Sequence, residues 1–343
     1  MTTRRDFLKT MTMASAGLAL GTGDLLGAPI SVSQRKAAAD KVKIAYVGIG
    51  NRGEQIIGDF ARTGMVEVVA LCDVDMGAPH TQKVMNMYPK AKRFRDFRQM
   101  FDKAGNDFDA VAIATPDHSH FPITMLALAS GKHVYVEKPL ARTFYEAELL
   151  MQAALKRPNL VTQVGNQGHS EANYFQFKAW MDAGIIKDVT AVTAHMNNPR
   201  RWHGWDSGIY KLPSGQQLPN DMDWDTWLGV VPYHEYNKDY HLGQWRCWYD
   251  FGMGCLGDWG AHILDTVHEF LELGLPYEVS MQYANGHNDY FFPYSSTILF
   301  RFPQRKGMPP VDITWYDGLD NLPPIPEGYG VSGLDPNIPK TNQ

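Results

Sequence analysis

The chain has few of the features that mark several common protein classes. It carries three cysteines, Cys72, Cys247 and Cys255, odd in number and without C-x-x-C spacing. Neither a disulfide framework nor a thiolate metal site is expected from them, and all three read as ordinary buried residues. The twelve histidines include no H-x-x-x-H or H-E-x-x-H pair, so no required metal is expected. No long basic run occurs and the formal net charge is −5, which gives nucleic acid no electrostatic foothold. Internal repeats and low-complexity segments are also lacking. What remains is an ordinary globular composition, 44% hydrophobic and 20% charged over 343 residues, a length that makes two domains the expectation.

The N-terminus reads Thr-Thr-Arg-Arg-Asp-Phe-Leu-Lys over residues 2–9, followed by a mild Ala/Gly/Met/Leu stretch from Met11 to Gly27. This resembles a twin-arginine export signal, and Ala37-Ala38-Ala39 offers a small-residue cleavage site. The stretch is too short and too rich in glycine for a membrane span. Residues 1–39 are therefore expected to be a leader and the mature protein to be periplasmic, with no stable membrane insertion beyond the signal. Such a route carries folded proteins, which implies that any cofactor is loaded before export and held tightly.

From Lys41 the pattern changes. Val42 to Val47 is a short β-rich run, and Gly48-Ile49-Gly50-Asn51-Arg52-Gly53 then opens a helix-like stretch. This is G-x-G-x-x-G in the context that gives it meaning: Gly48 permits the tight turn, Gly50 lets backbone approach a pyrophosphate, and Gly53 lets the helix pack on the strand. A second strand from Val66 to Leu71 ends at Asp73, twenty residues after Gly53, where an acid accepts ribose hydroxyls. Asp73 is followed by Val74-Asp75 with no adjacent Arg or Lys, so a 2′-phosphate would face carboxylates and NAD is preferred to NADP. Strand signals at Ala110 to Ala114 and His133 to Val136, with a helical one at Phe121 to Ser130, continue the alternation of a parallel sheet. Ligands of such sheets lie beyond the carboxyl ends of the strands. Thr115-Pro116-Asp117-His118-Ser119-His120 and Glu137-Lys138-Pro139 end there, and both are placed to meet the nicotinamide.

Alcohol oxidation by hydride transfer needs a base for the hydroxyl proton and a cation or donor for the developing alkoxide. Lys138, at a strand end before Pro139, suits the second task. For the base, Gly257-Asp258-Trp259-Gly260-Ala261-His262-Ile263-Leu264-Asp265, read as one helix, puts Asp258, His262 and Asp265 on one face. A carboxylate beside an imidazole makes a general base near neutral pH; the same spacing also serves a buried pair that only satisfies the core. Seven of the nine tryptophans fall between Trp202 and Trp259, among Arg200, Arg201, His203, Asp206, Tyr233, His234 and His241. Singly each Trp reads as core, but as a cluster beside polar groups they favour a carbohydrate pocket.

Gly48-x-Gly50-x-x-Gly53, Thr115-Pro116-Asp117-His118, Glu137-Lys138-Pro139 and Asp258-x-x-x-His262 resemble, in order and spacing, the Gfo/Idh/MocA oxidoreductases, in a subgroup that carries export signals. The resemblance covers the chain from about Lys41 onward. It implies an α/β architecture: a Rossmann domain over residues 40–163, then a substrate-binding α/β domain over 164–343, built on an open, mainly antiparallel sheet that often makes oligomer contacts. By motif match Lys138 is the catalytic lysine, Asp258 its acidic partner and His262 the general base. The implied cofactor set is Gly48, Gly50, Asn51, Arg52, Gly53, Asp73, Thr115, Pro116, His118, His120, Glu137, Lys138 and Gln167. The substrate set is Lys138, Trp245, Arg246, Asp258 and His262.

Strand-like runs at Asp188 to Met196, Ser295 to Phe302 and Val311 to Tyr316 precede a Pro/Gly-rich tail from Pro323. Relatives continue with further strands, so the second domain is expected to be incomplete. The expected activity is NAD(H)-dependent oxidation or reduction of a secondary hydroxyl or keto group on a sugar, glycoside or cyclitol, by a homo-oligomer. Two alternatives stand beside it. One is an NAD-dependent glycoside hydrolase working by oxidation and elimination, whose relatives carry a Tyr/His-containing segment where this chain has residues 257–262. The other is a non-catalytic sugar-binding or NAD-binding module.

Overall fold

A computed structural model describes residues 41–197, 211–241, 243–305 and 307–325. The leader-like segment lies outside them, as do Arg200, Arg201, Trp202, His203, Trp205 and Asp206 of the aromatic stretch.

Six strands form the first sheet: β1 (Val42–Val47), β2 (Val66–Cys72), β3 (Lys92–Phe94), β4 (Ala110–Ile113), β5 (His133–Glu137) and β6 (Thr162–Gly165). All pair in parallel, in the order β3-β2-β1-β4-β5-β6. The order reverses between β1 and β4, and that switch point opens a crevice at the carboxyl ends of the strands. The helices α1 (Arg52–Arg62), α2 (Pro79–Met87), α3 (Phe97–Ala104), α4 (Asp117–Ala129) and α5 (Phe144–Leu155) supply the crossovers. A sheet covered on both faces needs apolar residues at every position, not alternate ones. In β1, Ala45 and Val47 pack with α3, α4 and α5, while Ile44 and Tyr46 pack with α1 and α2.

Two helix starts are set locally. Thr143 caps α5 with a full capping box closed by Glu146, which satisfies two orphan N–H groups at once. At α4 the helix begins at Asp117, four residues before the expected Phe121, so Pro122 falls inside it. Pro116, beyond the end of β4, precedes the helix in an extended conformation and Asp117 supplies the acidic first turn, which the positive end of the helix dipole favours.

The second sheet is mixed, in the order β7-β10-β9-β8, with β7 (Ala191–Met196), β8 (Glu278–Asn285), β9 (Ser295–Phe302) and β10 (Val311–Asp317). The β9 pairings are antiparallel and β7–β10 is parallel, in keeping with the mainly antiparallel sheet expected. Between the sheets α6 (Ala172–Asp182) leads into β7. An aromatic cluster of Trp224, Trp227, Tyr240, Trp245, Trp248, Phe251 and Phe291 forms a core of its own, in which Trp224 and Trp227 stack at 4.5 Å. Each large side chain so buried contributes about 1.5–3 kcal/mol. Among the five described tryptophans of this stretch, Trp224 and Trp248 are core, whereas Trp227, Trp245 and Trp259 reach the cleft wall.

The segment from Asp258 to Asp265 is not one α-helix. Leu256–Gly260 is a π-helical turn, Ala261–Ile263 a single α-turn, and α7 (Asp265–Phe270) follows. The one-face alignment of Asp258, His262 and Asp265 is therefore lost. Cys72 and Cys247 are buried, while Cys255 is only partly so.

Candidate active site

A cavity of about 700 Å³ runs from the glycine turn to the π-helical segment. At one end Gly48 has φ +78°, and a Cβ there would stand 2.6 Å from the Ala114 carbonyl oxygen. A Cβ on Gly50 would run into the His80 ring. These two positions demand glycine for different reasons, the first for the turn and the second for close approach. Asp73 is tied into this turn: Oδ2 accepts from the Ile49 N–H at 2.9 Å and Oδ1 from the Asp75 N–H at 3.0 Å. Burial raises its pKa, and those two N–H groups oppose the rise.

The middle of the cavity is an Arg52-centred network. Arg52 donates from Nε to Glu137 Oε1 at 3.0 Å, and Tyr135 Oη donates to the same oxygen at 3.1 Å. With the Gln167 amide oxygen turned toward it, Arg52 also donates to Gln167 at 2.8 and 3.0 Å. Glu137 thus enters the cavity already neutralised.

At the far end Lys138 Nζ donates twice to one residue, to the Asp258 backbone oxygen and to Asp258 Oδ1, both at 2.7 Å. Arg246 adds Nε to Oδ1 at 3.3 Å, and its guanidinium lies 4.0 Å over the Trp245 ring, a stacked cation–π contact. His262 lines the same end. Burial and then the Lys138 charge lower its pKa, outweighing Asp258 and Glu137, so the imidazole is neutral near pH 7 and free to accept a proton.

Asn51, Thr115 and Pro116 also line the cavity. His118 and His120 do not; they stand behind its wall, 1% exposed each. His118 Nε2 lies 2.6 Å from the Trp227 oxygen, and burial pushes its pKa down to about 4. His120 lies between the Pro139 oxygen at 2.6 Å and the Thr115 oxygen at 2.9 Å, so one imidazole joins the loop after β4 to the loop after β5. Asp265, expected beside His262, instead meets His169 Nε2 at 2.6 Å. Gly53 packs on the Gly48 carbonyl, at the base of the turn.

Of the further lining residues, His80 and Arg95 have no signal in the sequence pattern, whereas Trp227 and His241 belong to the aromatic stretch that pointed to a pocket. Arg95 is already paired with Asp221 at 3.1 Å. Asp117 sits inside a motif whose histidines drew the reading instead. Among the described residues no group of three His, Cys, Asp or Glu side chains is arranged to hold a metal, and no helix is long and apolar enough to cross a membrane.

Two family models of one oxidoreductase family match consecutive parts of the chain. Residues 42–165 match its NAD-binding Rossmann fold and residues 172–302 its C-terminal alpha/beta domain. The chain belongs to the Gfo/Idh/MocA oxidoreductase family. Its N-terminal half is an NAD-binding Rossmann domain, and the residues present fit that group, with Gly48 and Gly50 lining the cavity and an acid at Asp73.

Among curated Gfo/Idh/MocA-like relatives, inositol 2-dehydrogenase of Salmonella typhimurium is 28% identical over 191 residues, covering 54% of each chain. A glycosyl hydrolase family 109 protein of Shewanella pealeana is 31% identical over 167 residues, 44% of this chain and 36% of the relative. The chain therefore spans about half, or less, of the length of these relatives. Among solved structures, the WlbA dehydrogenase of Chromobacterium violaceum, in complex with NADH and UDP-GlcNAcA, has a TM-score of 0.58 at 17% identity, covering 81% of this chain and 68% of the other. An oxidoreductase domain protein from Kribbella flavida has a TM-score of 0.57 at 22% identity, over 80% and 66%.

Proposed function

We propose that this chain is an NAD(H)-dependent oxidoreductase that interconverts a secondary hydroxyl and a keto group on a sugar, glycoside or cyclitol. The observation that carries the reading is the Lys138–Asp258 pair at 2.7 Å, beside His262, in the same cavity as the glycine turn. Bound NAD would supply the hydride acceptor or donor. Gly48, Gly50, Asn51 and Arg52 would hold its pyrophosphate end and Asp73 its ribose. Lys138 has three donor positions and uses them on Asp258 at two acceptors, which aims the ammonium and leaves one N–H for a substrate oxygen. Negative charge growing on that oxygen is then met by a cation already in place. His262, neutral near pH 7, takes the hydroxyl proton. Trp245 and Trp259 supply flat apolar wall, and Arg246 beside them donates to hydroxyls, the pairing that a sugar ring needs.

The named relatives support the sugar or cyclitol class: inositol 2-dehydrogenase by sequence and a dehydrogenase crystallised with a sugar nucleotide by fold. The likeness to glycosyl hydrolase family 109 proteins supports a second reading, cleavage of a glycoside with transient oxidation. The twin-arginine-like leader supports periplasmic location with NAD bound tightly before export. Exposed Val279, Met281 and Tyr283 on β8 support a homo-oligomer.

The test is mass spectrometry of small molecules released from the denatured protein, followed by absorbance at the NADH band across a panel of sugars, cyclitols and glycosides. Reduction on one of them is the expected result. Free sugar without net NADH would move the reading to the hydrolase, and failure to retain or take up any dinucleotide would overturn both.

A further inference from the structure

Asp117 is the first residue of α4 and lines the cavity next to Thr115 and Pro116. It is 4% exposed. Among the described residues no donor hydrogen-bonds its carboxylate, although cations surround it. Lys138 at the end of β5 and Arg246 and Asp258 of the second domain line the same cavity, and the charge of Arg142, in the loop beyond β5, also acts on it. A carboxylate this deeply buried is normally held in an ion pair or by several donors. Here the nearby lysine is committed to Asp258, and Arg142 to the backbone oxygens of Tyr249 and Asp250. Burial pushes Asp117 up to about 7; Arg246, Lys138 and Arg142 oppose the rise and Asp258 adds to it.

We propose that Asp117 is a further acid–base residue of the cavity, giving up its proton when an oxidised nicotinamide ring enters beside Lys138 and regaining one when that ring is reduced. The inference rests on the oxidoreductase reading above. Hydride passes only over a short distance, so the ring must lie at the Lys138–His262 end, which is the end whose charges act on Asp117. The oxidised ring carries a positive charge, and a positive charge nearby favours the ionised carboxyl. In the oxidation the substrate C–H bond breaks with its electron pair leaving as hydride to the ring, the C=O bond forms, and the O–H proton taken by His262 passes on to Asp117. Asp117 takes up one proton as the ring charge disappears, so the cavity keeps the same net charge in both redox states.

The test is isothermal titration calorimetry of the full chain with NAD⁺ and with NADH, each at about pH 7 in two buffers of different ionisation enthalpy, which counts protons exchanged on binding. The two forms carry the same pyrophosphate, so its effect on His80, His241 and Asp73 cancels in the difference. The expected result is release of about half a proton more per site with NAD⁺ than with NADH, the fraction that a group titrating near 7 still holds. In D117N that difference disappears while NADH still binds. An equal difference in wild type and D117N would assign the proton elsewhere and overturn the inference alone. So would binding of both forms by the wild type with no difference in protons, a result that needs no variant. Failure of either dinucleotide to bind would overturn the oxidoreductase reading and this inference with it.

Discussion

Lys138 and Asp258 stand 120 residues apart in the chain and meet through two hydrogen bonds of 2.7 Å, one to the carboxylate and one to the main-chain oxygen of the same residue. The pair is nearly dry, with side-chain exposures of 14% and 5%, and it joins the Rossmann sheet to the second domain. Truncating one partner of such a pair costs more than the pair contributes, because the other charge stays buried.

Lys138→Met is expected to lower turnover on the responding sugar at least about 100-fold while NADH fluorescence shows cofactor binding retained. Asp258→Asn strands two cations instead of one charge, and its stability in urea should fall by about 3 kcal/mol. A Lys138→Met variant that turned over normally would remove Lys138 from the chemistry.

His120→Ala should loosen two loops at once. The buried ring is neutral and carries one N–H, so its loss leaves one of the Thr115 and Pro139 oxygens without a donor, at a cost of about 1–3 kcal/mol. Thermal unfolding should shift downward, and cofactor affinity should fall although His120 itself does not line the cavity. His120→Asn, which keeps one donor, should recover part of both losses.

Acid stability follows from His118. Its folded pKa of about 4 lies below the ordinary 6.5, so between these values the unfolded chain binds more protons. Stability is complete above about pH 6.5 and is lost as pH falls toward 4, by roughly 3 kcal/mol from this residue. Asp117 acts in the opposite direction: its folded pKa is raised from 3.8 to about 7, so it contributes stability at low pH that is lost as pH rises through this range. His118→Gln should flatten the acid loss and Asp117→Asn should steepen it, both read from urea midpoints between pH 4 and 7.

Gly50→Ala should weaken dinucleotide binding at least about tenfold, since the added methyl runs into His80 and narrows the approach to the helix N-terminus. Adding His80→Ala removes the collision and should restore folding stability more than it restores affinity. Recovery of full affinity in the double variant would show that the space at Gly50 serves His80 packing and not a phosphate.

The Rossmann half was legible because its signals are local. Val42 to Gly53 contains strand, turn and helix start in one run, and Asp73 follows at a distance set by one crossover. The pairing of β7 with β10 was not, since the partners are separated by more than a hundred residues and no short-range pattern encodes their register. Helical periodicity misplaced Asp265 because it assumes a constant pitch, and a π-turn at Leu256–Gly260 adds a residue to that turn. His118 and His120 looked like ligand-facing residues because polar groups at a strand end usually are. Carbonyl oxygens from Trp227, Pro139 and Thr115 turn both rings inward, and nothing near them in sequence announces those partners. Asp117 went unread for the complementary reason: its importance lies in the donors it lacks, which only the assembled fold reveals.

Beside the Lys138–Asp258 pair, part of the seam between the two halves is fastened to main chain. Arg142 donates to the carbonyls of Tyr249 and Asp250, and His118 accompanies it with its own N–H on the Phe251 carbonyl and its ring at Trp227. A carbonyl is present whatever amino acid occupies the position, so these bonds do not read the identity of residues 249–251. The aromatic wall of the second domain can therefore be rewritten, by drift or by design, for a differently shaped ring while the fastening to the cofactor half is inherited unchanged.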